Sequence, residues 1–294
     1  MRYAVGLAWG MGLSVAMIVF VIGQLLVPDS LVMEWSETLR GAPQALVGGL
    51  ATWLGGHPEI SVRTAENLLF YGYAVMSLTV NLVVVMLAIP HLVTRDLSSH
   101  ALLIYSSKAL TRWDYLLGKL GTLLGLLVMT WLGPACMAWL LGNLLAPEWH
   151  FFWHSRTAIL HTLMFIGCAG LFLAVFGLGV SSVSAKEKTT VGVWLVLWLL
   201  GNPLVPVGLN TTPWLQYLSF RHDLQQVATR IYAPSEDVER FQSEIPVFGE
   251  LMRQAVPPRR REFLYQAHVG PAALGLGLLA LGSLWLLHVR TKTE

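Results

Sequence analysis

The sequence predicts an all-α membrane protein with six transmembrane helices and both termini in the cytoplasm. Three observations support this fold class: the composition, the long uncharged stretches, and the distribution of Lys and Arg between them. The chain has 294 residues, of which 55% are hydrophobic and 12% charged, and its mean hydropathy is +0.59. Because a soluble domain carries about twice that share of charge, we expect residues 1–294 to form a single transmembrane domain.

Six uncharged stretches are long enough to cross the hydrocarbon core as a helix, which takes roughly 20 residues. The first is too long for the apolar core of a signal peptide, about 7–15 residues, so we expect it to remain as an anchor. Segment 41–58 is shorter, rich in Gly and interrupted by Pro43, and is expected to be interfacial or partly re-entrant. The predicted spans are about 4–27, 67–91, 113–145, 157–184, 190–210 and 266–289.

Lys and Arg mark the cytoplasmic loops, since cationic segments resist translocation. The cationic residues of the two short inside loops are Arg95, Lys108, Arg112, Lys119, Lys186 and Lys188. This distribution places the segment of about 211–265, between spans 5 and 6, outside. Its sequence "PSEDVERFQSEIPVFGELMRQAVPP" predicts a pair of amphipathic helices, starting near Pro234 and broken or kinked at Pro246. We expect them to cap the outer face, either as a plain surface cover or as a substrate gate or partner dock.

The loop between spans 2 and 3, "RDLSSHALLIYSSKALTRWDYLLGK", has the pattern of a short amphipathic helix, a turn and a capped transmembrane helix. Asp96 can accept a free amide at the start of a helix over about 96–107. Thr111 and Asp114 have the T-x-x-D spacing of a capping box at the start of span 3. The apolar face of the short helix would consist of Leu97, Ala101, Ile104 and Tyr105. A loop whose charges only set the topology is the plainer alternative.

This loop resembles the cytoplasmic loop between the second and third spans of ABC-2-type permeases, the membrane subunits of one class of ATP-binding cassette transporter. The matching residues are Asp96, Ser98, Ser99, Leu103, Tyr105, Ser107, Lys108, Leu110, Thr111, Arg112, Asp114, Tyr115, Gly118 and Lys119. The resemblance implies a coupling helix that inserts into a cleft of a separate cytosolic ABC ATPase. The residues expected to serve this coupling are Asp96, Leu97, Ala101, Leu103, Ile104, Tyr105, Lys108 and Arg112.

The same resemblance implies an exporter in a bacterial inner membrane, built from two permease copies, identical or different, and two ATPase subunits. The chain contains no G-x-x-x-x-G-K-[ST] phosphate loop, so it is not expected to be an enzyme by itself or to bind a cofactor. ATP and Mg would bind to the partner ATPase. The lipid bilayer is the other expected partner, and nucleic acid is not expected. The sequence does not identify the substrate.

The predicted spans contain no ionised residue, which argues against coupling to an ion or a proton. Gln24, Asn81, His161 and Asn202 are the polar candidates for lining a pathway. Prolines in or near the spans predict kinks, and small residues four apart predict close helix contacts. These residues are Pro134, Pro203 and Pro206, and the pairs Gly6 and Gly10, Gly121 and Gly125, and Gly170 and Ala174.

Three histidines leave a different class of function open. His150 and His154 lie four residues apart on a possible helix face, and His161 follows two turns later. Two His at this spacing can share a metal, although the H-E-x-x-H order is absent. A membrane metalloenzyme using these residues, or a non-transporting membrane scaffold, is therefore the alternative to a permease. No catalytic residue is assigned.

Overall fold

The computed structural model describes residues 1–27, 30, 34, 38, 42–56, 58–99, 111–146, 150–201, 219–244 and 268–290. All secondary structure in these ranges is helical. The helices are α1 (Arg2–Leu25), α2 (Ala42–Gly56), α3 (Pro58–Ala88), α4 (Val93–Ser98), α5 (Arg112–Leu127), α6 (Gly133–Leu144), α7 (His150–Ser181), α8 (Glu187–Gly201), α9 (Phe220–Tyr232), α10 (Pro234–Glu244) and α11 (Val269–Arg290). A 3-10 turn at Ile89–His91 follows α3, and a π-helical turn at Val128–Leu132 joins α5 to α6.

Five helical stretches of the described chain are long and apolar enough to cross a membrane. They are Arg2–Leu25, Pro58–Ser98, Trp113–Leu144, His150–Ser181 and Val269–Arg290. This supports a multi-pass integral membrane protein. The fifth of the six predicted spans corresponds to α8, which has 15 residues. The rest of that predicted span, with Asn202, Pro203 and Pro206, lies outside the described residues.

Two helices begin well before their predicted spans. Helix α3 starts at Pro58 rather than near residue 67, and α7 starts at His150 rather than near residue 157. The prediction took charged residues as span limits, whereas Glu66 and Arg156 lie within these helices. Helix-favouring residues continue a helix past the hydrocarbon boundary, so charge marks where a span becomes polar and not where its helix starts.

Segment 41–58 is largely one continuous helix, α2, so the expected interruption at Pro43 was wrong. Pro43 is the second residue of this helix, where no amide hydrogen is needed for the helical ladder. Helix α2 contacts α1 and α3. The Ser61 hydroxyl, on α3, donates to the Trp53 carbonyl oxygen at 3.0 Å, with Trp53 only 7% exposed.

Helices α3 and α7 form the centre of the bundle, and α1 packs against α6 at its edge. The close α1–α6 contact depends on Gly12 and Gly142. A Cβ on Gly12 would lie 2.7 Å from the Pro134 Cβ, and one on Gly142 would clash with Val19. The predicted glycine pairs make no close helix contact within the described chain: a Cβ added to Gly6, Gly10, Gly121 or Gly125 would meet nothing within 4 Å, and one on Gly170 would meet only a Leu127 methyl at 4.0 Å. Their use in association with a second copy stays a prediction.

The kink predicted at Pro134 takes the form of the π-helical turn at Val128–Leu132. The Gly133 amide donates to the Val128 carbonyl, five residues earlier. Pro134 has no amide hydrogen to offer the preceding turn. A side chain from α3 satisfies part of the altered ladder, since the Tyr73 hydroxyl donates to the Trp131 carbonyl at 2.8 Å. This matches the general use of neighbouring polar groups to satisfy irregular backbone within membranes.

Helix α9 was not predicted, and it lies inside the bundle rather than on the outer face. The Arg221 guanidinium donates to the Thr79 hydroxyl at 3.1 Å, and the Thr229 hydroxyl lies 3.0 Å from that of Tyr71. Helix α9 therefore runs antiparallel to α3. It ends at Ala233, which has a left-handed backbone conformation with φ of 45°, and α10 follows.

Helix α10 starts at Pro234, as the sequence predicts, and packs on α3. Val238 is one of its buried apolar residues. The remainder of the expected amphipathic pair, including Pro246, lies outside the described residues. The assignment of the whole segment 211–265 to an outer cap is corrected by α9, whose aromatic and polar contacts reach deep into the bundle.

Both ends of the described chain lie at one end of the bundle. Met1 lines a cavity together with Leu92, and the Arg290 guanidinium approaches the Val183 carbonyl at 3.4 Å. The hydroxyl oxygen of Thr190, near the start of α8, lies 3.2 Å from that of Thr94 at the same end. Residues 58–63 and 150–157 lie at the opposite end, because the 31 residues of α3 extend about 45 Å at a rise of 1.5 Å per residue.

Candidate functional site

The first candidate site is a junction of Asp96, Tyr115 and Lys119, here called the Asp96 junction. The Asp96 carboxylate pairs with the Lys119 ammonium at 2.7 Å and accepts the Tyr115 hydroxyl at 2.7 Å. Lys119 also donates to the Leu92 carbonyl at 3.1 Å. These contacts join the residues before and after segment 100–110. The two ends of that segment are therefore held together by charge-assisted hydrogen bonds.

The sequence predicted that Asp96 caps the start of a helix, and this prediction was wrong. Helix α4 begins at Val93, with Leu92 as its N-cap residue, so Asp96 lies inside the helix. The prediction counted the first acidic residue as the cap, but the preceding backbone is already helical. The capping box of Thr111 and Asp114 is present: the Asp114 amide donates to the Thr111 hydroxyl, and the Asp114 carboxylate accepts the Thr111 amide at 3.1 Å.

A second set of hydrogen bonds fixes α4 to the end of α7. The Ser181 hydroxyl donates to the Ile89 carbonyl at 2.8 Å and accepts the amides of Val93 and Thr94 at 2.9 and 3.1 Å. The Thr94 hydroxyl donates to the Ser181 carbonyl at 2.7 Å. All four of these residues are buried. One serine side chain thus forms hydrogen bonds with three backbone groups at the point where α3 ends and α4 begins, and it links both helices to the end of α7.

The proposed coupling residues divide into four groups in the structure. Asp96 is bound in the junction. Leu97 is only 8% exposed and belongs to the core, so it is not available to a partner, contrary to the prediction. Arg112 is the first residue of α5. The remainder, from Ala101 to Lys108 and including Leu103, Ile104 and Tyr105, lies outside the described residues.

A polar network around Asn67 lies at the opposite end of the bundle. The Asn67 amide donates to the Tyr232 carbonyl at 2.7 Å and to the Asp237 carboxylate. His161 Nδ1 lies 2.9 Å from Asn67 Oδ1 and is its donor, since an amide oxygen only accepts. The Thr64 hydroxyl donates to Asp237 at 3.3 Å. Burial raises the pKa of Asp237, and the hydrogen bonds from Asn67 and Thr64 partly offset that rise.

Two carboxyl groups are buried within the bundle, and one of them, Glu66, belongs to the candidate span Pro58–Ser98, one residue before the predicted span 67–91. Glu66 on α3 and Asp223 on α9 have no exposed surface. Their carboxyl oxygens have no hydrogen-bond partner among the described residues. The prediction missed Glu66 because it served as a span boundary, and it missed Asp223 because α9 was assigned to an outer loop. Buried carboxyl groups at membrane depth are expensive and often functional.

The three histidines do not form a metal site. His161 is engaged with Asn67, whereas His150 and His154 line a cleft that also contains Arg63, Arg156 and Arg240. Within the ranges that the structure describes, no three His, Cys, Asp or Glu side chains come close enough to hold a metal ion. The arginines around His150 and His154 also disfavour a cation there.

The three pathway candidates that the structure describes, Gln24, Asn81 and His161, do not converge. Asn81 is buried, donates to the Ser77 carbonyl at 2.9 Å and accepts the Thr130 hydroxyl at 2.7 Å. It therefore ties α3 to the π-helical turn. His161 belongs to the Asn67 network, Gln24 is half-buried at the end of α1, and Asn202 lies outside the described residues.

Sequence reasoning missed Ser181, Glu66, Asp223, Tyr232 and the partners of Asp237. Ser181 has a visible signal, because it is the first of a serine pair at the end of a long apolar run. Comparisons with protein-family models, with curated proteins and with solved structures found no match.

Proposed function

We propose that the chain is the permease subunit of an ATP-binding cassette transporter of the ABC-2 type, an exporter driven by a separate cytosolic ATPase. The observation that carries the proposal is the Asp96 junction. It joins the two ends of the segment whose sequence resembles the coupling loop of such permeases. A coupling element transmits force only if its base is rigid, and this base is held by an ion pair and by buried hydrogen bonds.

The route for that force runs from the junction into the bundle. Asp96 connects α4 to α5 through Lys119, and Ser181 connects α4 to α7. Helix α7 in turn contacts α3, α9 and α11. A push on segment 100–110 would therefore be distributed to several long helices at once, which is what an ATP-driven conformational change requires. The chain itself supplies no phosphate loop.

The test is affinity purification of the tagged full-length chain in mild detergent, with identification of co-purifying proteins by mass spectrometry. We expect a nucleotide-binding ATPase with the wild type. Tyr105→Ala should reduce its recovery at least tenfold, since an aromatic side chain in a protein cleft is a typical hot spot. Tyr3→Ala is the matched control, because Tyr3 is 95% exposed and lies outside the loop.

Equal ATPase recovery with Tyr105→Ala and with the wild type would contradict the coupling role of this loop. Absence of any ATPase from the wild-type sample, under conditions that keep the protein monodisperse, would contradict the permease proposal itself. Loss of the ATPase from both tyrosine variants would indicate a general loss of assembly and would also count against a specific coupling face.

The buried carboxyl groups support a second candidate, a membrane protein that conducts protons. Glu66 and Asp223 are the residues that would exchange the proton, as in pumps and transporters that use buried acids. In proteoliposomes with an imposed pH gradient, the wild type would then dissipate the gradient, and Glu66→Gln and Asp223→Asn would not. Glu239→Gln, at an exposed position of α10, is the control. An unchanged gradient with the wild type would contradict this candidate.

A further inference from the structure

A cleft opens at the end of the bundle opposite the Asp96 junction. It lies between the first turns of α3 and α7 and the middle of α10, with a volume of about 400 Å³. Its lining residues are Glu59, Ile60, Arg63, His150, Trp153, His154, Arg156, Thr157 and Arg240. The chain brings these residues together from three distant regions of the sequence. This surface lies at the other end of the bundle from the coupling loop.

The cleft has a positive excess. Arg63, Arg156 and Arg240 contribute three guanidinium groups against the one carboxylate of Glu59. Outside the lining, Arg240 and Arg63 also act on the carboxylate of Asp237, whose pKa they lower. Three guanidinium groups thus face two carboxylates, those of Glu59 and Asp237, and a positive excess remains. Guanidinium groups favour planar, bidentate recognition of phosphate or carboxylate oxygens.

The end of a long helix adds to this field. Helix α7 begins at His150, and His150, Trp153 and His154 of its first turns line the cleft. The first amide N–H groups of a helix have no intrahelical acceptor, and the helix dipole places partial positive charge there. Three arginines and a helix N-terminus therefore face the same volume, and both favour an anion.

The position of the cleft along α7 indicates the depth in the bilayer at which a ligand of the cleft would lie. Trp153 is 60% exposed, and the Arg156 guanidinium lies 5.3 Å from its ring centre. Tryptophan at a helix end is typical of the headgroup level of a bilayer. Immediately beyond it, Leu160 and Met164 are each 59% exposed and offer an apolar surface for acyl chains. Ile60 lines the cleft itself and is 41% exposed.

We propose that this cleft binds the phosphate group of an anionic lipid, with Arg63, Arg156 and Arg240 on the headgroup and the acyl chains along α7. A free phosphate ester would use the same arginines but would not use the exposed apolar residues below them. The lipid is therefore the occupant that fits both the charge of the cleft and its depth.

The test compares lipid binding to the purified full-length protein by native mass spectrometry in neutral detergent. The probes are phosphatidylglycerol and phosphatidylcholine of equal chain length. We expect preferential binding of phosphatidylglycerol, and a loss of at least tenfold in its affinity with the double variant Arg156→Gln/Arg240→Gln. The control is Arg2→Gln/Arg230→Gln, which removes the same charge from exposed positions outside the cleft and should change the affinity less than twofold.

Equal phosphatidylglycerol affinity for the cleft variant and for the wild type would overturn the proposal. So would displacement of the lipid by millimolar inorganic phosphate, because that result would assign the site to a soluble phosphate. Helical content and monodispersity of both double variants are checked first. If the cleft double variant does not fold, the single variants Arg156→Gln and Arg240→Gln replace it, each with an expected loss of about threefold, and an unchanged affinity in both has the same meaning.

Discussion

Asp96 shows how one side chain can organise a loop base. Its carboxylate receives both the Lys119 ammonium and the Tyr115 hydroxyl, and its side chain and that of Lys119 are only 13% and 22% exposed. A partly buried carboxylate that accepts hydrogen bonds from one cationic and one neutral donor contributes more to the stability of the fold than an exposed ion pair does. At the same scale, Ser181 satisfies three backbone groups of Ile89, Val93 and Thr94 with one hydroxyl.

The first prediction concerns the Asp96–Lys119 pair. A double-mutant cycle with Asp96→Asn, Lys119→Met and the double variant should give a favourable coupling energy of about 1 kcal/mol. Thermal unfolding in detergent, followed by circular dichroism, measures it. Each single variant leaves one polar group without its partner. The double variant should therefore lose less free energy of unfolding than the two single variants lose in sum. If the losses of the two single variants simply add, the interaction between Asp96 and Lys119 contributes nothing to stability. Glu239→Gln serves as a control for the loss of one surface charge.

Close helix contact depends on particular glycines rather than on glycine spacing. Gly12 and Gly142 allow α1 and α6 to approach, and Gly179 allows α7 to approach Ser283 of α11. The pair Gly6 and Gly10 has the expected spacing but no neighbour within the described chain. At the scale of an element, a small residue matters only where the crossing point of two helices falls on it.

A matched pair of substitutions on α1 tests this. Gly12→Ala would place a Cβ 2.7 Å from the Pro134 Cβ and 2.9 Å from the Pro134 carbonyl oxygen, both closer than a normal contact. We expect a loss of about 1–3 kcal/mol in the free energy of unfolding, as for other overpacked sites. Gly10→Ala, which meets nothing within 4 Å, should be neutral or slightly stabilising because Ala favours helix.

Both variants are measured by thermal unfolding in the same detergent. A similar decrease in the apparent melting temperature for Gly10→Ala and Gly12→Ala would show that the glycines act through helix propensity or lipid contact, and not through the α1–α6 packing described above.

On the scale of the whole molecule, the bundle has two chemically different ends. One contains the Asp96 junction, Met1 and Arg290, and the other contains the Asn67 network and the cationic cleft. The proposed function requires these ends to lie on opposite sides of a membrane. The length of α3 is sufficient, since its 31 residues exceed the roughly 20 that span the hydrocarbon core.

Cysteine labelling in intact cells tests this orientation. In a chain with Cys136→Ala and Cys168→Ala, a membrane-impermeant maleimide should label Glu239→Cys but not Ser98→Cys until the cells are lysed. Both positions are exposed in the protein, so accessibility differs only through the membrane. Labelling of Ser98→Cys in intact cells, with Glu239→Cys protected, would indicate the opposite orientation of the protein in the membrane. Equal labelling of both would contradict a membrane between the two ends.

The sequence by itself determined the helical class, the membrane character and the start of α5. Composition and uncharged length are local properties, and the Thr111–Asp114 capping box joins residues three apart. Only the tertiary structure revealed α9 inside the bundle, the burial of Glu66 and Asp223, and the partners of Asp96 and Ser181. The physical reason is that these features depend on contacts between residues far apart in the chain. Burial and pairing are decided by which helices meet, and hydropathy along one helix does not contain that information.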